Sequence, residues 1–296
     1  MDFTVGLVYI LHPFLTIITV TATGQWERGR EMMKSLAGVL LAAAVLTALS
    51  GCGQGSGPSV AADGSTSMEK AVGILGEVFQ QDTGVRFTFN PTGSGAGIRA
   101  VQEGRCDLGL SSRWLKEEER ELGLEATVLA YDGIALIVNP QNPISDLNLE
   151  TIGRIFTGSV TNWSELGGEA EEIVLIGREA GSGTREGFEW ATGTLNACPY
   201  RQELTSTGDV ITTVSRNPGA IGYASIASVQ DTVKVLSVAG VPPTEENIRQ
   251  GSYPVQRPFL LVTAGEVSGE TADFLAFATS ARAREYLSMA GVVWAN

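Results

Sequence analysis

The sequence predicts an α/β protein with a mainly parallel sheet, because short apolar runs alternate with amphipathic stretches along the chain. Residues 173–176, Ile-Val-Leu-Ile, are short and rich in β-branched side chains, which favours a buried strand. Met68, Val72, Leu75 and Phe79 instead recur near the 3.6-residue period of an amphipathic helix. In sheets of this class, ligands bind beyond the carboxyl ends of the strands.

The chain has 296 residues, 43% of them hydrophobic, which is enough for one large domain or two lobes. The strand patterns lie at residues 59–62, 85–89, 108–110, 128–131, 134–138, 173–176, 219–223 and 253–262. The helical patterns lie at residues 68–81, 98–102, 117–121, 149–156, 186–191, 271–277 and 281–289. Gly84 is expected to end the first helix in a left-handed conformation.

Charge and histidine content exclude several functions. The formal net charge of −13 argues against a nucleic-acid or anionic-membrane surface, but not against a small anionic ligand. The sole histidine, His12, lies in a segment that we expect to be absent from the mature protein. Without it, the chain has no Ser-His-Asp triad, no Cys-His dyad and no histidine-containing zinc site.

Residues 1–51 do not have the pattern of a folded domain. Residues 32–34 form a short basic start, residues 36–49 are apolar, and Leu-Ser-Gly leads into Cys52. This is the pattern of an export signal, and it resembles the lipobox of bacterial lipoproteins, in which the cysteine is lipidated. We therefore expect residues 1–31 to be an over-called start and Cys52 to be the lipidated first residue. The alternative is an N-terminus with two membrane spans, although the second apolar run is short for a span of about 20 residues.

Residues 52–58 include Gln-Gly-Ser-Gly-Pro and form a predicted flexible tether between the lipid anchor and the folded domain. The two remaining cysteines, Cys106 and Cys198, are either a disulfide in an oxidising compartment or two small buried thiols. Neither has a base partner, so we expect no catalytic role for either thiol.

Residues 178–185, Arg-Glu-Ala-Gly-Ser-Gly-Thr-Arg, connect a predicted strand to a predicted helix and are the first candidate for a ligand site. A helix N-terminus offers unpaired backbone N–H groups and a positive dipole end to an anion. Ser182 and Thr184 add hydroxyl donors, while Gly183 lets a ligand approach the backbone closely. Arg178 supplies a fixed charge with a fork of donors suited to an oxyanion. The alternative is a glycine-rich surface turn with an ordinary helix cap.

Three further turns are also rich in hydroxyl groups and follow predicted strands. They contain Ser65, Thr66 and Ser67, then Ser94, and then Ser111 and Ser112. A dehydrated oxyanion needs many directed donors, because burying its charge without partners is very unfavourable. Each turn alone is equally well explained by a helix cap or a strand-end polar group, but four of them in one domain favour a shared anion site.

Seven short segments occur in an order that is typical of one protein family. They are Gly64-Ser65-Thr66, Gly93-Ser94-Gly95, residues 107–113, Asp132-Gly133, Asn162-Trp163, Arg178 with residues 181–184, and residues 218–223. With them the chain resembles the periplasmic phosphate-binding proteins of phosphate ABC transporters, in their compact lipoprotein form. The arginine-to-threonine motif and the Gly-Ala-Ile-Gly-Tyr segment are the most specific of the seven.

The resemblance implies an α/β, two-lobed periplasmic-binding-protein fold of type II, with two crossover strands and a ligand cleft between the lobes. Lobe 1 would comprise residues 59–133 and 226–296, and lobe 2 residues 134–225, with crossovers near residues 132–139 and 221–225. By the same resemblance, phosphate would be bound by Thr66, Ser67, Ser94, Arg178, Ser182, Gly183 and Thr184. The hydroxyl-rich turns add Ser65, Ser111 and Ser112 to the expected phosphate site.

Two positions depart from the family pattern. Many members have an aspartate where this chain has Ser112, and that carboxylate accepts a hydrogen bond from protonated phosphate and repels sulfate. We expect Asp132, at a predicted strand junction, to take this role; the alternative is a turn aspartate that bonds nearby backbone. Ala180 replaces an aspartate that orients the family's arginine, so Glu179 or a residue elsewhere is expected to support Arg178.

The sequence therefore predicts a receptor that binds inorganic phosphate and delivers it to the permease subunits of an ABC transporter. We expect an exported monomer, lipid-anchored to the outer face of the cell membrane or in the periplasm, without nucleic acid, cofactor, metal ion or enzymatic activity. The first alternative is the same fold binding sulfate, molybdate or tungstate, which Ser112 leaves open. A phosphate-ester hydrolase is disfavoured, because there is no catalytic histidine, Walker lysine or metal-binding carboxylate cluster.

Overall fold

The structure, a computed structural model, describes residues 57–295, and this part of the chain contains twelve β-strands. In chain order they are β1 Ser59–Gly64, β2 Arg86–Asn90, β3 Leu108–Ser111, β4 Leu124–Val138, β5 Asp146–Leu147, β6 Val174–Arg178, β7 Gln202–Leu204, β8 Ala220–Ser225, β9 Lys234–Val235, β10 Ser237–Val238, β11 Gln256–Ala264 and β12 Val293–Trp294.

Nine α-helices lie between or after these strands within the described range. They are α1 Glu69–Thr83, α2 Ser94–Gln102, α3 Glu117–Glu121, α4 Leu149–Phe156, α5 Gly183–Ala191, α6 Thr207–Arg216, α7 Glu245–Arg249, α8 Gly269–Ala278 and α9 Ala281–Ala290. Short 3-10 turns occur at Thr66–Met68, Trp163–Leu166 and Ile226–Ser228.

Ten of the described strands form one sheet, whose central path has the order β2-β1-β3-β11-β4-β8-β6-β7. We call β2, β1, β3 and β11 the first half-sheet, and β8, β6 and β7 the second half-sheet. β1 runs parallel to β2 and β3, and β6 runs parallel to β7 and β8. β4 and β11 run antiparallel to their neighbours, so the sheet is mixed, and the predicted parallel pairing applies only among β2, β1 and β3 and among β6, β7 and β8.

β4 joins the two half-sheets. It pairs with β11 as far as Gly133, and its residues 134–138 pair with β8. The sequence predicted two strands interrupted at Asp132 and Gly133, but β4 is a single strand of 15 residues. The prediction was wrong because Asp132 lies opposite Arg257 of β11, which neutralises it within the sheet. Gly133 packs closely against Ile248, since a Cβ there would lie 2.8 Å from Ile248 Cδ1, the end of a side chain that would have to shift.

An apolar core lies against each half-sheet. The first core packs α1, α8 and α9 on β1 and β3, with the rings of Phe79 and Phe274 edge to face at a centroid distance of 5.3 Å. The second core packs α4 and α5 on β6 and β8, with Phe188 stacked on Tyr223 at 4.2 Å. Burial of one such aromatic side chain contributes about 1.5–3 kcal/mol. These cores hold the strand ends in fixed positions.

The first helix has the amphipathic pattern that the sequence predicted. Val72, Leu75 and Phe79 of α1 are buried against the first half-sheet. Gly84 ends the helix with a φ of 74°, and its N–H donates to the Gln80 carbonyl. Because side chains other than glycine rarely adopt this left-handed conformation, the predicted helix stop is confirmed.

Two helices begin earlier than the sequence predicted. α2 starts at Ser94 instead of residue 98, and α5 starts at Gly183 instead of residue 186. Glycine disfavours helix, so the sequence pattern suggested loops where the chain already forms the first helical turn. α6 was not predicted, although Ser206 caps its N-terminus by accepting from the Asp209 N–H.

Several predictions concern the N-terminal segment. The export signal, the lipidated Cys52 and residues 53–56 of the tether lie outside the described residues. Between residues 57 and 295, none of the helices combines the length and the apolar character needed to span a membrane.

Candidate functional site

The carboxyl ends of β1, β3 and β6 bring the predicted turns together. Ser65 follows β1, Ser112 follows β3, and Arg178 is the last residue of β6. α2 begins in the same region at Ser94. These four side chains are at most 2% exposed, so any ligand that contacts them is withdrawn from water.

Three serines form a cluster on the side of the first half-sheet, and we call Ser65, Ser94 and Ser112 the serine cluster. The Ser65 hydroxyl donates to Ser112 Oγ at 2.8 Å, and Ser94 Oγ lies 3.1 Å from Ser112 Oγ. The Ser112 backbone N–H donates to Ser94 Oγ at 3.0 Å. The turns after β1 and β3 and the start of α2 therefore meet at one point.

A second group of hydroxyls connects the two half-sheets, and we call Thr66, Ser67, Thr184 and Thr207 the threonine cluster. Ser67 Oγ lies 2.9 Å from Thr184 Oγ1 and 3.1 Å from Thr207 Oγ1. Thr66 Oγ1 also lies 3.1 Å from Thr207 Oγ1. The turn after β1 thus contacts the N-terminal residues of both α5 and α6.

Gly183 places the N-terminus of α5 against the serine cluster. A Cβ at this position would lie 2.5 Å from Ser94 Oγ and 2.8 Å from Ser112 Oγ, so only glycine fits. The backbone N–H of Gly95 donates to Gly181 O at 3.0 Å, which joins the starts of α2 and α5. The positive end of the α5 dipole therefore adds to the donors of both clusters.

Arg178 supplies the positive charge of the site and is held by the segment before α6. Its Nη1 donates to Thr207 Oγ1 at 3.2 Å, its Nη2 to Thr205 O at 2.9 Å, and its Nε to Leu204 O at 3.1 Å. Burial lowers the pKa of the Arg178 guanidinium to about 10, which leaves it charged at neutral pH. Three bonds fix the plane of the guanidinium in the site.

The charge of Arg178 is less well neutralised than that of other enclosed arginines in the described chain. Those arginines pair with carboxylates: Arg113 with Glu119 at 2.7 Å, Arg185 with Glu189 at 2.7 Å, and Arg257 with Asp132 at 2.9 Å. The corresponding distance from Arg178 Nη2 to Glu179 Oε1 is 4.0 Å, beyond hydrogen-bond range. Ala180 cannot orient Arg178 as an aspartate would, and backbone carbonyls orient it instead. The charge of Arg178 is therefore available to attract an anion.

Asp132 is buried behind the serine cluster. Its Oδ2 accepts from Arg257 Nη2 at 2.9 Å and Nε at 3.1 Å, and its Oδ1 accepts from Ser225 Oγ at 2.8 Å. Burial raises the pKa of the Asp132 carboxyl, and the Arg257 guanidinium opposes that rise. Arg257 Nη1 donates to Ser112 Oγ at 3.2 Å, so Asp132 is connected to the cluster through Arg257. Its predicted hydrogen bond with the ligand stays a prediction.

Two of the predicted site hydroxyls bond within their own turns. Ser111 Oγ donates to the Arg113 carbonyl at 2.9 Å, and Ser182 Oγ accepts from the Arg185 N–H at 3.3 Å as the cap of α5. Both side chains are buried beside the clusters. Their hydroxyls shape the backbone of the site, while the other predicted hydroxyls bond to one another across it.

The sequence prediction omitted Thr207 and Arg257. Thr207 lies in the segment Thr-Ser-Thr-Gly-Asp at residues 205–209, which has the same hydroxyl-rich composition as the four predicted turns. A hydroxyl-rich turn after a short strand could therefore have indicated that Thr207 belongs to the site. Nothing in the sequence around Arg257 distinguishes it from a surface residue in a strand, and only the pairing of β11 with β4 places it at Asp132.

Residues 57–295 contain no group of three or more histidine, cysteine, aspartate or glutamate side chains suited to a metal ion. Cys106 and Cys198 are both free, half-buried thiols, which decides between the two predicted states. Burial raises the pKa of Cys106 to about 11, so its reactive thiolate form is disfavoured.

Comparison with known proteins identifies the family. The sequence profile of the PBP superfamily domain matches residues 47–282. The chain belongs to the PBP superfamily. Within this superfamily it is 32% identical over 231 residues to the phosphate-binding protein PstS of Bacillus subtilis, covering 75% of each chain.

Two solved structures are similar over 80% of this PBP-superfamily chain and 100% of their own. One, from Clostridium perfringens, is described as a phosphate ABC transporter substrate-binding protein with bound phosphate, and has 38% identity and a TM-score of 0.78. The other, from Vibrio cholerae, is described as an ABC-type phosphate transport receptor, and has 32% identity and a TM-score of 0.67. The predicted family and the predicted periplasmic-binding-protein fold are confirmed.

Proposed function

We propose that this protein binds inorganic phosphate and delivers it to the permease subunits of an ABC transporter. The observation that carries the proposal is the buried Arg178 guanidinium, which has no carboxylate of residues 57–295 in hydrogen-bond range and donates to Thr207 of the threonine cluster. A tetrahedral oxyanion matches this arrangement, because it accepts several directed hydrogen bonds and neutralises the charge. The relatives described as phosphate-binding favour phosphate over sulfate, molybdate or tungstate.

The proposed phosphate site is formed by the serine cluster, the threonine cluster, Arg178 and the N-terminus of α5. Gly183 and Thr184 contribute backbone donors, and Ser111 and Ser182 hold their turns in shape. Asp132 contributes through Arg257 and Ser112. No bond in the ligand has to be made or broken, so the protein acts as a binding protein and not as an enzyme.

Ligand capture is proposed to occur by closure of two lobes, residues 59–133 with 226–296 and residues 134–225. Three contacts across this boundary support closure around the site: Ser67 with Thr184 at 2.9 Å, Gly95 with Gly181 at 3.0 Å, and Arg113 with Glu186 at 3.1 Å. An anion that bonds to both sides would favour the closed state by its differential affinity.

Export and anchoring are proposed from the sequence pattern before Cys52. The protein would act outside the cytoplasm as a monomer, attached to the membrane by lipid on Cys52 alone. Mass spectrometry of the exported protein tests this: lipidated Cys52 at the N-terminus is expected, and an unmodified N-terminus upstream of Cys52 would exclude it.

Isothermal titration of phosphate into the purified protein tests the central proposal. The Arg178→Ala variant is expected to lose more than about 2 kcal/mol of binding free energy, because a charge-assisted contact is removed from a dry site. Arg249→Ala removes an exposed arginine of α7 and is the matched control. Little change in the Arg178→Ala variant, or no binding by the unaltered protein, would contradict the proposal.

A further inference from the structure

Arg257 is a second buried guanidinium beside the proposed phosphate site, and it contacts the serine cluster directly. We infer that Arg257, held by Asp132, fixes the Ser112 hydroxyl as a hydrogen-bond donor, so that this position favours dianionic over monoanionic phosphate. The inference rests on the proposed function and specifies which ionic form of the ligand the site selects.

The orientation of Arg257 is determined by its partners. Its Nε and Nη2 both donate to Asp132 Oδ2, and Ser225 holds the other carboxylate oxygen at 2.8 Å. The guanidinium also lies 5.5 Å from the centre of the Phe259 ring. Arg257 and Asp132 are 3% and 0% exposed, so solvent does not screen the ion pair between them. One nitrogen, Nη1, is left to face Ser112.

The hydrogen bonds that Ser112 receives fill both acceptor positions of its hydroxyl oxygen. A hydroxyl has two acceptor positions and one hydrogen. Arg257 Nη1 can only donate, and it occupies one acceptor position of Ser112 Oγ at 3.2 Å. The Ser65 hydroxyl donates to the other at 2.8 Å. Ser112 therefore has only its hydrogen to offer, either to Ser94 Oγ at 3.1 Å or to a ligand oxygen.

The site still presents a hydrogen to the ligand if Ser112 donates its own hydrogen bond to Ser94. Ser94 Oγ already accepts the Ser112 backbone N–H at 3.0 Å, so a second bond from the Ser112 hydroxyl fills its acceptor positions. The Ser94 hydrogen is then the one presented to the ligand. In both arrangements the Ser112 oxygen has no acceptor position left for the ligand, and the hydrogen presented to the ligand comes from Ser112 or Ser94.

A donor and an acceptor at this position select opposite forms of phosphate. An aspartate here would accept the proton of a protonated ligand. A fixed donor instead bonds more strongly to a fully ionised oxygen, because charge on the acceptor strengthens the hydrogen bond. Removal of the donor should therefore weaken binding of the dianion more than binding of the monoanion.

The other charged groups around the site do not change the preference for the dianion. Arg178, which donates to the threonine cluster, is charged throughout the neutral range. Arg113, next to Ser112, is paired with Glu119 and Glu186. Asp132 is the carboxylate that contacts Arg257. Ser112→Ala leaves all of these groups in place. Their titration therefore affects the unaltered protein and the variant alike, and it cancels in the ratio of the two affinities.

Phosphate affinity of the unaltered protein and of Ser112→Ala, measured by titration calorimetry near pH 6 and near pH 8, tests the inference. Phosphate passes from mainly monoanion to mainly dianion over this interval. We expect Ser112→Ala to weaken binding about threefold near pH 6 and about tenfold or more near pH 8. An equal loss at both values, or a larger loss near pH 6, would overturn the inference.

A second variant tests the role of the ion pair. Arg257→Met with Asp132→Asn removes the guanidinium without leaving a buried charge, and the asparagine can still accept from Ser225. In this background the loss caused by Ser112→Ala should no longer differ between the two pH values; a difference that persists would show that Arg257 does not set the donor. Ser237→Ala, in β10, is the control and should leave affinity unchanged at both values. Failure of the unaltered protein to bind phosphate would refute the proposed function itself, before any variant is compared.

Discussion

Arg178 Nη1 and Thr207 Oγ1 lie 3.2 Å apart, and the same Thr207 oxygen lies 3.1 Å from both Thr66 Oγ1 and Ser67 Oγ. One hydroxyl at the start of α6 therefore connects the charge of the site to the turn after β1. Because these groups come from both half-sheets, Thr207 positions the guanidinium relative to the donors that would share its ligand.

Replacing Thr207 by valine is expected to weaken phosphate binding by about 2 kcal/mol, or roughly 30-fold. The substitution keeps the shape of the side chain and removes the hydrogen-bond partner of Arg178, Thr66 and Ser67. Thr207→Ser should retain most of the affinity, because the hydroxyl is kept. Thr212→Val, on an exposed position of the same helix, is the control. If calorimetry gives Thr207→Val the same phosphate affinity as Thr212→Val, Thr207 does not contribute to the site.

A pair of glycine substitutions tests the close approach of α5 to the serine cluster. Gly183→Ala would place a Cβ 2.5 Å from Ser94 Oγ, so α5 must move away from the cluster. We expect at least a hundredfold loss of phosphate affinity, about 3 kcal/mol, as donors are displaced. Gly181→Ala meets no atom within 4 Å and should bind normally. Comparable affinities for the two variants would contradict the packing seen at Gly183.

Local patterns in the sequence were sufficient to predict much of the fold and part of the site. The turn residues of β1 and β3 are specified by short-range chemistry: an apolar strand followed by small hydroxyl residues. Since β1 and β3 are parallel neighbours, their carboxyl ends meet at one edge, which brings Ser65 to Ser112. The helix stop at Gly84 has a similar local cause.

The parts that were missed depend on pairing between distant segments. Thr207 contacts Thr66 across 141 positions of the chain, and Arg257 contacts Asp132 across 125. The register of β11 against β4 creates the second contact, and no local pattern encodes that register. Arg178 is supported by backbone carbonyls of Leu204 and Thr205, groups that every residue has and that a sequence cannot distinguish.

The proposed role of Arg178 predicts a specific loss of phosphate affinity at high pH. In the free protein, burial lowers the pKa of the guanidinium to about 10, and a bound anion would raise it. Below about pH 10 the group is protonated with and without ligand, so affinity does not depend on it. Above this value, binding requires uptake of a proton, and the dissociation constant should rise by up to about tenfold per pH unit. A dissociation constant that stays flat from pH 8 to 11 would contradict this.

Arg113 directly follows Ser112, and its ion pair with Glu119 predicts how the fold responds to acid. Arg113 donates to both carboxylate oxygens of Glu119, at 2.7 and 2.8 Å, and contacts Glu186 of α5 at 3.1 Å. Burial acts to raise the pKa of Glu119, but hydrogen bonds from Arg113 and from the Lys116 N–H outweigh it and hold this pKa below its usual value. The pair therefore stabilises the folded state above the pKa of the unfolded chain, about 4.3. That contribution is lost as the pH falls through the lower folded value.

Glu119→Gln should accordingly lower the melting temperature at pH 7 by about 2–4 °C, which corresponds to about 1 kcal/mol for a partly exposed pair. The difference from the unaltered protein should be smaller near pH 3 than at pH 7, because the contribution of the pair declines once the pH is below the pKa of the unfolded chain. Glu118→Gln changes the same charge at the exposed neighbouring position and controls for the net charge of α3. Scanning calorimetry without phosphate measures all three proteins. A deficit of Glu119→Gln that is as large at pH 3 as at pH 7 would mean that packing, and not the ion pair with Arg113, holds this turn beside the serine cluster.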